Sequence, residues 1–115
     1  MSMRMLALAA ALLTPAAASA EIWRVSEGPN GAIKGQWNIQ ISGDAVTGTA
    51  TMGSGAGPLT YAIVGAVKDG RIAVKRANPS NGKVCDYSAR LGAEDFTGAA
   101  VCAGEHGPWV VKRGK

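Results

Sequence analysis

The sequence predicts a small all-β domain: an antiparallel up-and-down barrel of seven or eight short strands with one cross-strand disulfide. Three observations indicate this class. Short runs of alternating apolar and polar side chains recur about every 8–12 residues. No stretch after Ala20 has helical periodicity, and the 16 glycines are spread along the chain, where they mark turns. Closing such a meander into a barrel removes its exposed strand edges.

The first 20 residues are predicted to be a secretory signal peptide. Arg4 supplies a basic start, and the apolar run that follows is too short to span a membrane. Ala18-Ser19-Ala20 matches a cleavage site of the A-x-A type. Cleavage after Ala20 would leave residues 21–115 as a single domain, and we expect it to be periplasmic or secreted.

Alternation of side chains along the chain predicts the strands of this domain. The segment Ile22 to Val25 is either a brief first strand or an irregular N-terminal tail that plugs the barrel. Later strands have clearer boundaries because apolar residues repeat at every second position. The predicted intervals are 34–42, 46–52, 59–67, 72–74, 85–91, 95–102 and 109–113.

Turn-forming residues separate these strands. Asp69-Gly70 is the strongest signal, because this dipeptide favours the type I′ turn of a two-residue hairpin. Clusters of glycine, proline, serine and asparagine predict longer loops at 53–58, 78–82 and 104–108.

The hairpin from Cys85 to Cys102 is predicted to carry the disulfide. Folding it about residues 93 and 94 places the two cysteines opposite each other, with Tyr87 opposite Ala100 on the same apolar face. A non-hydrogen-bonded antiparallel pair brings Cα atoms to about 4.5 Å, within reach of a disulfide. These are the only two cysteines, so in an exported domain they predict a structural bond. We expect no metal site, since the sequence offers no set of ligands at metal spacing.

Inward-facing positions of the predicted barrel hold many small residues. Small side chains would allow tight coiling of the strands, or they would leave room for a ligand. The short strands favour a filled interior. These residues are Gly48, Ala50, Gly65, Ala89, Gly98 and Ala100.

Gly35-Gln36-Trp37 opens the first long strand, and Arg113 lies near the end of the last. This arrangement resembles the calycin group of barrels, which includes lipocalins, avidins and small bacterial metalloprotease inhibitors. In size, export signal and single disulfide the chain is most similar to the inhibitors. The resemblance implies that Trp37 closes one barrel end and that Arg113 packs over it through a cation–π contact of ~0.5–2 kcal/mol.

The residues that catalysis would need are not grouped in the sequence. His106 is the only histidine, and its neighbour Glu105 would point away from it in a turn. We therefore expect no enzyme, no catalytic residues and no cofactor. The formal net charge of +4 is spread along the chain rather than concentrated, which does not favour nucleic-acid binding.

Two binding functions stay open. The first is an exported module that binds, and could inhibit, a protein partner through Trp23 and Arg24, because Trp and Arg are enriched at interface hot spots; the alternative for Trp23 is a plug at the barrel end. The second is a carrier of a small apolar ligand inside the barrel. That ligand would contact Trp37, Tyr61, Tyr87 and Phe96. For either function we expect a monomer without a membrane anchor.

Overall fold

The computed structural model describes residues 19–114, which form one closed antiparallel barrel. Eight strands follow chain order around it, and a short 3-10 turn at Pro29–Gly31 joins the first two. The predicted all-β up-and-down barrel is thereby confirmed. The strands are β1 (Ser19–Glu27), β2 (Ile33–Ser42), β3 (Ala45–Ser54), β4 (Gly57–Lys68), β5 (Arg71–Ala77), β6 (Cys85–Arg90), β7 (Asp95–Cys102) and β8 (Glu105–Gly114).

Strand β1 closes the barrel. It pairs with β2 on one side and with β8 on the other, so that Trp23 lies opposite both Trp37 and Arg113. The segment Ile22 to Val25 is therefore the middle of a paired strand and not an irregular tail. Its side chains alternate between the interior and solvent, as strand geometry requires.

The predicted signal peptide, residues 1–20, lies mostly outside the part of the chain that the structure describes. Ser19 and Ala20 are the exceptions, because they begin β1. Among the described residues, none of the helical segments has the length and apolarity that a membrane-crossing helix needs.

The hairpin between β4 and β5 has the predicted turn. Asp69 and Gly70 have φ angles of 52° and 78°, which is the positive-φ pair that a type I′ turn requires. The turn sets the register of the two strands, so that Lys68 lies opposite Arg71.

Two of the predicted loops are wrong in extent. Most of the interval 53–58 belongs to β3 and β4, and most of 104–108 belongs to β8, which leaves a two-residue turn at each place. Several glycines and prolines of these intervals pair within the sheet; Gly53, for example, lies opposite Pro58. Their composition alone does not distinguish a strand from a turn.

The predicted disulfide hairpin is confirmed. Cys85 lies opposite Cys102 with a Cα–Cα distance of 4.1 Å, and their sulfurs are bonded. Tyr87 lies opposite Ala100, as expected. Burial alternates along β6 with Cys85, Tyr87 and Ala89 inside, so the register that separates core from solvent also aligns the cysteines.

The inward-facing glycines allow close approach of neighbouring strands. A Cβ atom at Gly48 would overlap the backbone carbonyl oxygen of Asn38, and one at Gly65 would overlap that of Ala73. Small residues at these positions therefore permit tight coiling, and they do not create a ligand cavity. Buried aliphatic and aromatic side chains fill the interior.

Candidate functional site

All six aromatic side chains of the sequence lie inside the barrel and are buried. The Trp37 ring is at the centre, with ring centroids of Tyr61 at 5.9 Å, Tyr87 at 5.1 Å and Trp109 at 5.3 Å. Phe96 joins them through Trp109 at 5.5 Å. The structure thus brings the four predicted ligand-cavity residues (Trp37, Tyr61, Tyr87 and Phe96) into one cluster, but their own rings occupy the space between them.

A buried ion pair lies beside these rings. Glu27 and Arg76 are each 2% exposed, and the Arg76 Nη2 atom is 2.8 Å from Glu27 Oε1. Tyr87 and Tyr61 each donate a hydrogen bond of 2.7 Å to the Glu27 carboxylate. The Trp37 indole N–H donates to the Tyr61 hydroxyl at 3.0 Å. We call Glu27, Tyr61, Arg76 and Tyr87 the interior polar cluster.

The interior polar cluster keeps its two tyrosines protonated. Burial and then the negative charge of Glu27 raise the pKa of Tyr61 and of Tyr87 above the ordinary value of 10.0. Burial lowers the pKa of Arg76, but its hydrogen bond with Tyr87 and the charge of Glu27 outweigh this effect, and the pKa is raised. The cluster is therefore a charged pair held by two neutral phenols.

Sequence reasoning missed Glu27 and Arg76. A usable signal was present, because each residue continues the inward alternation of its strand. Glu27 follows Trp23 and Val25 at every second position, and Arg76 follows Val74 in the same way. A charged residue at an inward position predicts a buried partner of opposite charge.

The disulfide lies next to the same carboxylate. Ligand atoms of Glu27, Cys85 and Cys102 lie within 4.8 Å of one another, which is close enough for a shared ion. Both sulfurs are consumed in the disulfide, whereas metal binding needs free thiolates. The Glu27 carboxylate is also occupied by Arg76 and the two tyrosines.

The opposite end of the barrel is closed by Arg113, but not over Trp37. The guanidinium carbon of Arg113 is 5.5 Å from the centroid of the Trp23 ring, and its nitrogens make bonds of 2.9 and 2.7 Å to the Glu21 carboxylate. The Trp37 ring stacks below Trp23 at 6.5 Å. The predicted pairing of Trp37 with Arg113 is therefore wrong, because Trp23 occupies the place between them.

The two residues predicted to bind a partner face opposite sides of β1. Trp23 is 0% exposed and its indole N–H donates to Glu21 at 2.8 Å, so the expectation of an exposed tryptophan anchor is wrong. Alternation along the strand puts Trp23 inside and Arg24 outside. Arg24 is exposed.

Arg24 lies in a furrow on the outer face of strands β8, β1, β2 and β3. One part has a volume of about 1050 Å³, and a second part of about 890 Å³ shares Arg24 and Lys112 with it. Lys34 lines the second part, and Ile22, which is 52% exposed, lines the first. We call this surface the outer furrow. Amide and hydroxyl side chains complete it: Gln36, Asn38, Gln40, Thr47, Thr49 and Thr51.

The charge of the outer furrow is positive. Among residues 19–114, Glu21 is the one acidic residue that lines it, and Arg113 donates hydrogen bonds to both oxygens of that carboxylate. The ion pairs among the described residues are those of Arg76 with Glu27 and of Arg113 with Glu21. Arg24, Lys34 and Lys112, the other cations of the furrow, thus have no direct ion pair within the described part of the chain.

No protein-family model matches the chain, and no curated protein matches it. Among solved structures, the chain is similar to a redesigned beta barrel, mFAP1, bound to DFHBI. The TM-score is 0.64 and the sequence identity 16%, with 82% of this chain and 92% of that chain covered. At this identity the similarity shows the fold alone, which is that of a small β-barrel.

Proposed function

We propose that the protein is an exported, non-enzymatic binding module that recognises an acidic surface of a protein partner through the outer furrow. The observation that carries this proposal is the position of Arg24 in a concave, positively charged surface. The resemblance to calycin-type inhibitors suggests inhibition of the partner as the result of binding. A rigid, disulfide-bonded monomer suits such a role, because little conformational entropy is lost on association.

Charge and chemistry of the outer furrow support an anionic partner. Arg24 and Lys112 lie directly opposite each other on β1 and β8, a like-charge arrangement that costs stability in the free protein. A carboxylate placed between them would relieve the repulsion. Asp95 lies on the other side of Lys112, but it forms no ion pair with it among the described residues.

Charge reversal in the furrow tests the proposal. The immobilised mature protein would be incubated with a periplasmic extract, and the captured proteins identified by mass spectrometry. We expect the parent to capture acidic proteins. Arg24→Glu should weaken the binding of these proteins by about 2 kcal/mol or more, which is about thirtyfold in affinity. Lys83→Glu is the matched control, because Lys83 is exposed and outside the furrow. Equal capture by Arg24→Glu and Lys83→Glu would exclude the furrow as the binding surface.

A small ligand in the barrel interior is the second candidate. The solved barrel that this fold resembles is bound to a small molecule, and the four predicted aromatic residues do converge. Trp109 also has a buried indole nitrogen with no hydrogen-bond partner among the described residues, which a polar ligand atom would satisfy. This candidate requires the interior rings to move apart.

The second candidate has a separate test. Ligand that co-purifies with the protein would be extracted and identified, and Ala89→Leu would be used to fill the interior, since Ala89 is buried there. Loss of that ligand in a folded Ala89→Leu variant supports the carrier function. A parent protein that yields no ligand and does not bind a hydrophobic dye contradicts it.

A further inference from the structure

Three cations stand in one row on the outer face of β4, β5 and β6. Lys68 lies opposite Arg71, and Arg71 lies opposite Arg90. Directly opposite residues have Cβ atoms about 4.5–5.5 Å apart, and like charges at this distance destabilise a sheet. All three side chains are exposed. We call them the cation row.

No ion pair within residues 19–114 neutralises the cation row. The ion pairs of the described residues lie elsewhere, at Glu27 and Glu21. Asp69 occupies the turn between Lys68 and Arg71, but makes no ion pair with either. The barrel therefore carries an unfavourable charge arrangement at a place fixed by the hairpin register.

The surface beside the cation row is open. The next rung of side chains on the same face consists of Ala66, Ala73 and Ser88, which lie opposite one another in turn. These side chains are small, so the longer Lys68 and Arg71 side chains extend farther from the sheet than they do. We call Ala66, Ala73 and Ser88 the floor of the site. A ligand anion could thus approach the row from the side without steric hindrance.

We propose that the cation row binds a phosphate group. Two arginines side by side can each donate paired N–H groups to phosphate oxygens, and a lysine adds a third positive charge. The bound dianion would replace repulsion among the cations with attraction to all three. The organic part of a phosphate ester would lie on the floor formed by Ala66, Ala73 and Ser88. This site is on different strands from the outer furrow and does not depend on the proposed partner.

Titration with inorganic phosphate tests the site. Amide NMR shifts of the mature protein would be followed at constant ionic strength, with chloride as the balancing anion. We expect saturable shifts at Gly70 and Ala73 in the parent. Arg71→Ala and Arg90→Ala should each weaken binding about tenfold or more, because each removes a charged hydrogen-bond donor. Lys75→Ala is the matched control, since Lys75 is on the same strand but lies opposite Asp86.

A vesicle experiment separates the two sources of phosphate. Vesicles of phosphatidylglycerol and of phosphatidylcholine would be sedimented with the parent and with Arg71→Ala. The site would be assigned to a lipid headgroup if phosphatidylglycerol binding depends on Arg71 and inorganic phosphate has no measurable affinity. It would be assigned to a soluble phosphate if inorganic phosphate binds and the phosphatidylglycerol vesicles do not. The proposal is overturned if neither probe binds, or if Lys75→Ala weakens binding as much as Arg71→Ala does.

Discussion

At the scale of single residues, Glu27 and Arg76 are the core residues whose burial costs the most free energy of folding. Removing a charge from water costs several kcal/mol, which only close partners and good hydrogen bonds offset. Here both Glu27 oxygens accept hydrogen bonds, from Arg76, Tyr87 and Tyr61. Loss of either charged partner would leave the other unpaired and buried, at a cost of about 3–5 kcal/mol.

The two tyrosines give this cluster a measurable pH dependence. Burial and the charge of Glu27 raise the pKa of Tyr61 and Tyr87 in the folded state. The unfolded chain ionises them near pH 10, whereas the folded chain keeps them protonated. The stability they contribute is therefore complete below pH 10 and is lost as the pH rises further, by about 2.7 kcal/mol per pH unit for two groups.

Ultraviolet absorbance of tyrosinate measures this effect, because the sequence contains two tyrosines and both belong to the cluster. We expect the absorbance to appear together with unfolding, and not as a separate titration near pH 10. Tyr61→Phe should halve both its amplitude and the loss of stability per pH unit. A reversible tyrosinate titration with a midpoint of 10 in the folded protein would contradict the buried cluster.

At the scale of secondary structure, the inward glycines determine how tightly the strands coil. Gly48 on β3 and Gly65 on β4 each lie against a backbone carbonyl of the neighbouring strand. A strand that carried side chains at these points would be held farther from its neighbour. Close approach on several strands narrows the barrel, so that its aromatic side chains are enough to fill it.

Alanine should change the free energy of unfolding differently at a glycine that touches the neighbouring strand and at one that does not. Gly65→Ala should lower the free energy of unfolding by about 1–3 kcal/mol, because its Cβ would overlap the Ala73 carbonyl oxygen. Gly55→Ala is the control, since no heavy atom lies within 4 Å of its Cβ position. We expect it to be neutral or to stabilise by up to about 1 kcal/mol. Urea denaturation measures the free energy of unfolding of both variants. Equal changes in that free energy would show that the strands do not touch at Gly65.

At the scale of the whole molecule, β1 holds the barrel closed. It supplies the two carboxylates of the described ion pairs: Glu21 binds Arg113 on β8, and Glu27 reaches across the interior to Arg76 on β5. Its inward residue Trp23 is fully buried between these pairs. β1 is thus fixed by its backbone ladder, its core side chains and an ion pair near each end.

Removal of residues 21–25 should therefore open the barrel. We expect the truncated chain to lose near-ultraviolet circular dichroism and resistance to proteolysis, because β2 and β8 would both become exposed edges. Arg24→Ala is the control, since it leaves the strand in place and changes an exposed side chain. A truncated chain that keeps the native melting temperature would contradict the closing role of β1.

Alternation and turn chemistry, read from the sequence alone, determine the all-β class, the Asp69-Gly70 hairpin and the pairing of Cys85 with Cys102. These are local features, because strand periodicity and a two-residue turn depend on residues near one another in the chain. The sequence also predicts that Trp37, Tyr61, Tyr87 and Phe96 come together, because each occupies an inward-facing position of its strand.

Only the tertiary structure decides which distant residues meet. Arg113 packs over Trp23 and not Trp37, because barrel closure inserts β1 between β2 and β8. Barrel closure also brings Glu27 into hydrogen-bonding distance of Arg76, which is 49 positions away in the chain. The outer furrow likewise forms only when β8 returns beside β1. Periodicity states which face a side chain takes, whereas its partner depends on strand order, register and closure, which act over the whole chain.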